Sequence, residues 1–254
     1  MAEPALAYLP DPAPCAALDA ILAEDEHSLP ETDGLPLADG RIQQGPFTYS
    51  RDALRFHLRH RNDHVAVEGD MFIYYVGRDD NGGPTLASVS PDIFVVYGVP
   101  DRPDRNSYVL WNEPDADIRF VLEIASPSTR RRDHTVKREV YASLGVAEYF
   151  LYDPPPRRRD ARILGLRLHA GEYEDMPYEE LPNGSSGVRS DSTGLVAYVD
   201  VEGELKWFDP ASGQDLRSYD EVQNQVKEVE IELDAAKAQI ADLEAQIQRL
   251  SGEV

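Results

Sequence analysis

The chain has 254 residues, of which 47 are acidic and 25 basic, giving a formal net charge of −22, and 41% are hydrophobic. This length allows one domain with additions or two small ones, with a sizeable core, but no run of about 18 apolar residues exists to cross a membrane as a helix. The opening MAEPALAYLPDP lacks the basic and apolar regions of a secretory signal. The single cysteine, Cys15, excludes a disulfide framework or a cysteine zinc cluster and points to a reducing, cytoplasmic setting.

Residues 1–14 are rich in Pro and Ala, which predicts poor order. A short helix is expected over about 16–26. Residues 28–47, with Pro30, Pro36 and Pro46, read as loop, and Ser50 reads as the N-cap of a short helix carrying Leu54 and Leu58. Residues 65–67 and 71–76 read as a strand or hairpin around Gly69, and DNGGP at 80–84 is a turn signal. Residues 93–97 and 120–124 are β-branched and aromatic runs suited to buried strands. Val136, Val140 and Leu144 recur every four residues, so a helix is expected over about 133–144, stopped by Gly145. A strand follows at 148–152. ILGLRLH, LVAYVDV and ELKWF, between 163 and 210, read as further antiparallel strands of an appended sheet.

The C-terminal segment has its own periodicity. Val222, Val226, Val229, Leu233, Ala236, Ile240, Leu243, Ile247 and Leu250 recur at alternating steps of four and three, a heptad seam over four heptads. With Val226, Leu233, Ile240 and Ile247 at a, the mostly β-branched a row leans towards a parallel dimer, in which Glu232 at g can meet Lys237 at e of the partner. One amphipathic helix packed on its own domain would show the same seam. The element order implies an α/β (α+β) fold with one dominant sheet. The expected divisions are an acidic N-terminal extension at 1–44, a core at 45–170, an appended β region at 171–218 and a coiled-coil helix at 219–254.

Spread evenly, −22 would argue against a nucleic-acid partner. It is not spread evenly. Residues 1–40 hold nine acids and no base, 171–218 eleven acids and three bases, and 219–254 nine acids and three bases. Residues 41–170 hold 18 acids and 19 bases, including Arg130, Arg131 and Arg132 and a second Arg triplet at 157–159. Such a triplet is either a solvated turn or a phosphate-facing patch.

Three groups in this segment suggest chemistry. Asp92 follows Ser90-Pro91 at a strand start, where a carboxylate can bind a hard cation or simply make a turn. Glu123 interrupts an apolar strand, which is costly unless the acid is paired, metal-bound or at an exposed edge. Asp133, Lys137 and Tyr141 are spaced by four and share one helix face, although Asp133 also reads as an N-cap and Lys137 as a snorkelling lysine. Together an Asp, a Glu about thirty residues on and a Lys fourteen further form a magnesium-nuclease constellation: two carboxylates for Mg²⁺ and a lysine for the phosphate or the attacking water. The Ile124 carbonyl is a further candidate ligand. His57, His60, His64 and His134 are candidates by residue type alone and receive no metal role.

The stretches SPDIFVVYGVPDRP, FVLEIASPSTRRRDHTVKREVYASLGVAEYFLYDP and LGLRLHAGEY resemble the Uma family of bacterial restriction endonucleases, in the PD-(D/E)XK nuclease superfamily. The resemblance spans roughly 45–215 and is strongest over 88–175. It implies a restriction-endonuclease-like mixed sheet flanked by helices and a metal-dependent phosphodiesterase site. Asp92 matches the family's Pro-Asp acid and Glu123 the acid of the following strand. A Glu-x-Lys motif would place lysine at 125, where Ala125 stands, and the resemblance implies that the lysine has moved to Lys137. Glu68 and Asp70 are neighbouring acids that are not carried over.

The expected function is therefore a metal-dependent endonuclease acting on DNA. Asp92, Glu123 and Lys137 would be catalytic, with Asp92 and Glu123 holding Mg²⁺ or Mn²⁺. Asp133 and Tyr141 would support Lys137, and Arg130, Arg131 and Arg132 would face nucleic acid. A homo-oligomer would form through the coil, with no membrane partner. The alternative is a catalytically inactive module that kept the nuclease fold for binding or assembly; Ala125 and the acidic flanks favour it.

Overall fold

The computed structural model describes residues 16–24, 29–30, 41–60, 64–79, 81–102, 104–125, 133–154 and 162–251. The expectations for residues 1–14 and for both Arg triplets lie outside them. The chain divides into two compact units, one up to Leu216 and one from Arg217 onward.

The first unit is built on a six-stranded sheet in the order β1-β4-β6-β7-β8-β9. Its strands are β1 (Val65–Gly69), β4 (Ile93–Tyr97), β6 (Asp117–Ile124), β7 (Glu148–Asp153), β8 (Arg162–His169) and β9 (Glu172–Asp175). All neighbours run antiparallel except β6 and β7, which are parallel. A parallel pair needs a crossover. Here it contains a π-turn at Asp133–Lys137 followed by the short helix α3 (Arg138–Ser143). The central strands are buried on both faces, so they read as continuous apolar runs rather than alternating ones.

One face carries Val67, Ile93, Val95, Phe120, Leu122, Ile124 and Phe150, packed with Leu54 and Leu58 of helix α2 (Arg41–Arg59). A five-stranded antiparallel sheet covers the same face. It comprises β10 (Tyr178–Glu180), β11 (Ser186–Arg189), β12 (Val196–Val199), β13 (Leu205–Asp209) and β14 (Gln214–Asp215). Trp207 of β13 lies 5.9 Å from the Phe120 ring and 6.5 Å from the Phe150 ring. The opposite face carries Ala66, Phe94, Val96, Val121, Tyr149 and Leu151, packed against Tyr141 of α3. It also meets Ile73 and Tyr108 from a three-stranded sheet of β3 (Pro84–Val89), β2 (Phe72–Arg78) and β5 (Ser107–Val109). Helix α1 (Ala16–Leu22) places Leu18 and Ile21 beside Val76 of β2. The result is a mixed α+β fold.

Four local expectations are corrected. Helix α2 begins at Arg41 and contains Pro46, so 41–47 is not loop and Ser50 is not an N-cap. The Ser50 hydroxyl instead accepts the Trp207 indole N–H at 3.0 Å, a tertiary bond that no local pattern reveals. β1 and β2 do not form a hairpin around Gly69: they lie in different sheets. A Cβ at Gly69 would meet the Asp92 carbonyl at 2.7 Å and the Phe47 ring at 2.9 Å, so the glycine permits a close passage. The ILGLRLH strand, β8, belongs to the six-stranded sheet and not to an appended one, as does β9. The helix expected over 133–144 opens as a π-turn, with one more residue per hydrogen-bonded turn than an α-helix. The DNGGP signal does close a hairpin, β2–β3, where Asp79 N–H donates to the Gly83 carbonyl at 2.8 Å.

Glu148 fastens the five-stranded sheet to the first strand set. It is buried at the start of β7 and accepts the Ser190 hydroxyl at 2.6 Å, the Asp191 N–H at 2.9 Å and the Ser192 N–H at 3.2 Å, with Arg167 at 3.3 Å. The Ser190, Asp191 and Ser192 donors come from the turn between β11 and β12, and Arg167 from β8. Removing the carboxylate strands the buried Ser190 hydroxyl and two part-buried backbone N–H groups at once, and an unsatisfied buried donor costs about 1–3 kcal/mol before relaxation. Glu148→Ala should therefore lower unfolding stability by about 3 kcal/mol, and Glu148→Gln by less, in chemical denaturation. An Ala variant of unchanged midpoint would show that the turn is held by other contacts.

Candidate active site

The β4–β6 register pairs Ile93 with Leu122, so Asp92 and Glu123 occupy the next cross-strand position. Along β6, Phe120, Leu122 and Ile124 point to the α2 face, which sends Val121 and Glu123 to the other face. There Glu123 is only 1% exposed. Asp92 is half-buried, and its Oδ2 accepts the Ile124 N–H at 2.6 Å, which fixes one carboxylate against the strand bearing the other. The Asp92 carbonyl accepts the Asp70 N–H at 3.1 Å, so the chain leaving β1 pins the same residue from the opposite side.

Lys137 and Tyr141 close the site. The Lys137 ammonium donates to Glu123 Oε1 at 2.8 Å and to the Ser90 carbonyl at 3.1 Å. The Tyr141 hydroxyl donates to the same Oε1 at 2.5 Å. Spacing by four puts both residues on one side of the helix, and the π-turn ends at Lys137, where the α-helical path begins. Burial is the main reason that the Tyr141 phenol is held well above its ordinary pKa; the Glu123 charge and the hydrogen bond to it add to the effect. Tyr141 is thus a neutral donor at any physiological pH. A buried carboxylate with an ammonium and a phenol on one oxygen is compensated by charge and by hydrogen bonding.

The structure therefore brings together Asp92, Glu123, Lys137 and Tyr141 of the residues picked from the sequence. Ala125, at the position of a Glu-x-Lys lysine, is buried with its N–H on the Tyr152 carbonyl. The backbone of Asp133 belongs to the π-turn, its side chain lies outside the described residues, and Arg130, Arg131 and Arg132 lie outside them altogether. Sequence reasoning missed the Ser90 carbonyl, the Ile124 N–H and the Asp70 N–H. These are backbone groups, and no side-chain pattern signals them.

Glu68 is a separate case. It is buried on β1 and paired with Arg55 of α2 at 3.0 Å, while Arg55 also donates to the Val67 carbonyl at 2.7 Å. Desolvation raises the Glu68 pKa, and the Arg55 charge opposes that rise. Among the described residues no set of three or more His, Cys, Asp or Glu side chains converges as metal ligands. Mg²⁺ is commonly held by one or two carboxylates, with water and substrate phosphate completing its octahedron. The hard oxygens of Asp92 and Glu123, adjacent across two strands, suit that kind of site.

Residues 30–198 match the model of the Uma2 family, described as "Putative restriction endonuclease". No curated protein matches. Among solved structures, a crystal structure described as a putative nuclease belonging to DUF820 from Anabaena variabilis matches at 17% identity and a TM-score of 0.40, over 62% of this chain and 87% of that one. Among the described residues no helix is long and apolar enough to cross a membrane.

The Lys137–Glu123 pair has a stability signature apart from any reaction. Breaking a buried pair by removing one partner costs about 3–5 kcal/mol, because the other charge is stranded. Lys137→Met should destabilise the fold by about 3 kcal/mol, and adding Glu123→Gln should recover part of the loss. Simple additivity of the two substitutions in urea unfolding would show that the groups are not coupled.

Proposed function

The chain belongs to the Uma2 family, and from that premise we propose that it is a divalent-metal-dependent endonuclease that hydrolyses DNA phosphodiester bonds in the cytoplasm, as a homo-oligomer. The observation that carries the reading is the meeting of Lys137 and Tyr141 on one oxygen of Glu123, next to Asp92. Asp92 and Glu123 would hold Mg²⁺, or Mn²⁺ in its place. When bound, the cation supplies positive charge to the phosphate oxygens and a lowered pKa to a coordinated water.

The remaining work falls to the chain's own groups. Tyr141 holds Glu123 in place by donating to Oε1, and the Ile124 N–H does the same for Asp92 Oδ2. Lys137, 12% exposed and positioned by the Ser90 carbonyl, reaches the surface of the site, where its ammonium can orient the attacking water and offset charge gathering on the phosphate. Water attacks phosphorus in line, the bond to the 3′ oxygen breaks, and that oxygen takes up a proton, leaving a 5′-phosphate and a 3′-hydroxyl. Asp133 would support Lys137, and Arg130, Arg131 and Arg132 would contact the phosphate backbone. Ala125 favours a second reading, a non-catalytic nuclease fold used for binding or assembly.

Purified protein should nick supercoiled plasmid in Mg²⁺ or Mn²⁺ and stop on chelation. Asp92→Asn, Glu123→Gln and Lys137→Ala should each cost about a hundredfold or more in rate. Full metal-dependent nicking by Glu123→Gln would sink the site assignment. A Mn²⁺ titration that finds no site abolished by Asp92→Asn would select the non-catalytic reading.

A further inference from the structure

The second unit consists of helix α4 (Tyr219–Ser251), 33 residues in one run. At about 1.5 Å per residue it is about 50 Å long. Its apolar seam is uncovered: Val222, Val226, Val229, Leu233, Ile240, Leu243 and Ile247 are between 41% and 62% exposed. A helix of this length with an open heptad seam is unstable as an isolated object in water, because most helical stability comes from burying the apolar face.

We propose that the seam is covered by a second copy of the same helix, in a parallel, in-register, two-stranded coiled coil. Three features select this occupant. The C-terminal half alternates Ile240 and Ile247 at a with Leu243 and Leu250 at d, the pattern that packs best in parallel dimers, and only a parallel partner stacks these layers on their own equivalents. The flanks carry no like-charged neighbours in that arrangement: the g-to-e′ pairs are Gln225–Glu230, Glu232–Lys237, Gln239–Glu244 and Gln246–Ser251. The third feature fixes the register. Glu232 faces Lys237 of the partner only when the helices are aligned; a slip of one heptad in either direction sets it against Glu230 or Glu244. The register is thus specified by repulsion in the alternatives as well as by attraction in the native pairing. Lys237 is held by Asp234 of its own helix at 3.4 Å, both side chains being exposed, and can turn to the partner without leaving a buried charge. This inference rests on the helix alone, so it stands or falls apart from the nuclease reading.

The full-length protein should sediment at twice the chain mass at micromolar concentration. Lys237→Glu alone and Glu232→Lys alone should each raise the dimer Kd about tenfold, since two symmetric pairs turn from attractive to repulsive, and the charge-swapped double variant should return it close to the starting value. Leu243→Cys, in a Cys15→Ser background, should oxidise to a disulfide-linked dimer, because only a parallel in-register partner sets residue 243 against itself. A monomer at these concentrations would overturn the proposal. So would a dimer that neither crosslinks through residue 243 nor recovers with the charge swap, since that places an antiparallel or different partner on the seam.

Discussion

Glu123 lies on a central strand with 1% of its surface exposed, and an uncompensated carboxylate there would be protonated or would unfold its surroundings. The fold answers with two donors on one oxygen, the Lys137 ammonium and the Tyr141 phenol. That requirement explains much of the first unit. The donors come from the crossover between β6 and β7, so the crossover must return over the face to which Glu123 points. Tyr141 must be buried to reach the carboxylate, and it is then a principal member of that face's core, 5.1 Å from the Tyr149 ring. The same groups serve packing and the compensation of a buried charge.

Glu148, on the neighbouring strand, shows what a purely structural buried carboxylate looks like in this protein. Its main donors are two backbone N–H groups and a serine hydroxyl from a turn. Neutral, fixed donors of this kind hold a charge in place. Glu123 differs in taking its cation more closely, the Lys137 ammonium at 2.8 Å against 3.3 Å for Arg167 on Glu148, and in lying across the strands from Asp92. Among the described residues, two carboxylates and one ammonium meet in an otherwise apolar layer, a set of groups that suits a divalent cation and an anionic substrate arriving together.

The net charge of −22 takes on a different meaning once it is divided. The segment 41–170, which carries Asp92, Glu123 and Lys137, is nearly balanced, while the acidic excess belongs to the N-terminal 40 residues, the strands beyond β8 and the C-terminal helix. Much of the arginine in the first unit is engaged with acids on the same surface, as in Arg167–Asp191 and Arg189–Glu179. On α4 the charges flank an apolar seam, at the positions that in coiled coils select the partner.

Local patterning was enough for the buried strands at 93–97 and 120–124, the stop at Gly145, the hairpin turn at 80–84 and the heptads of α4, because each depends on residues close together in the chain. It also picked out Asp92, Glu123, Lys137 and Tyr141: an acid in an apolar strand is conspicuous, and a spacing of four is a helical face. It failed where a residue's role depends on a distant partner. Ser50 resembles a cap until the Trp207 indole is placed on its hydroxyl, and Gly69 resembles a hairpin until the Asp92 carbonyl is seen to pass beside it. ILGLRLH resembles an appended strand until β7 is its partner. The sequence by itself therefore determined which side chains are available and which face each would share. The resemblance already implied Lys137 in place of a lysine at 125; only the tertiary structure decided that its ammonium shares one Glu123 oxygen with Tyr141, and that backbone groups of Ser90, Asp70 and Ile124 hold these side chains. Hydrogen bonds that span between 14 and 47 residues depend on sheet register and crossover path, and no short-range pattern encodes either.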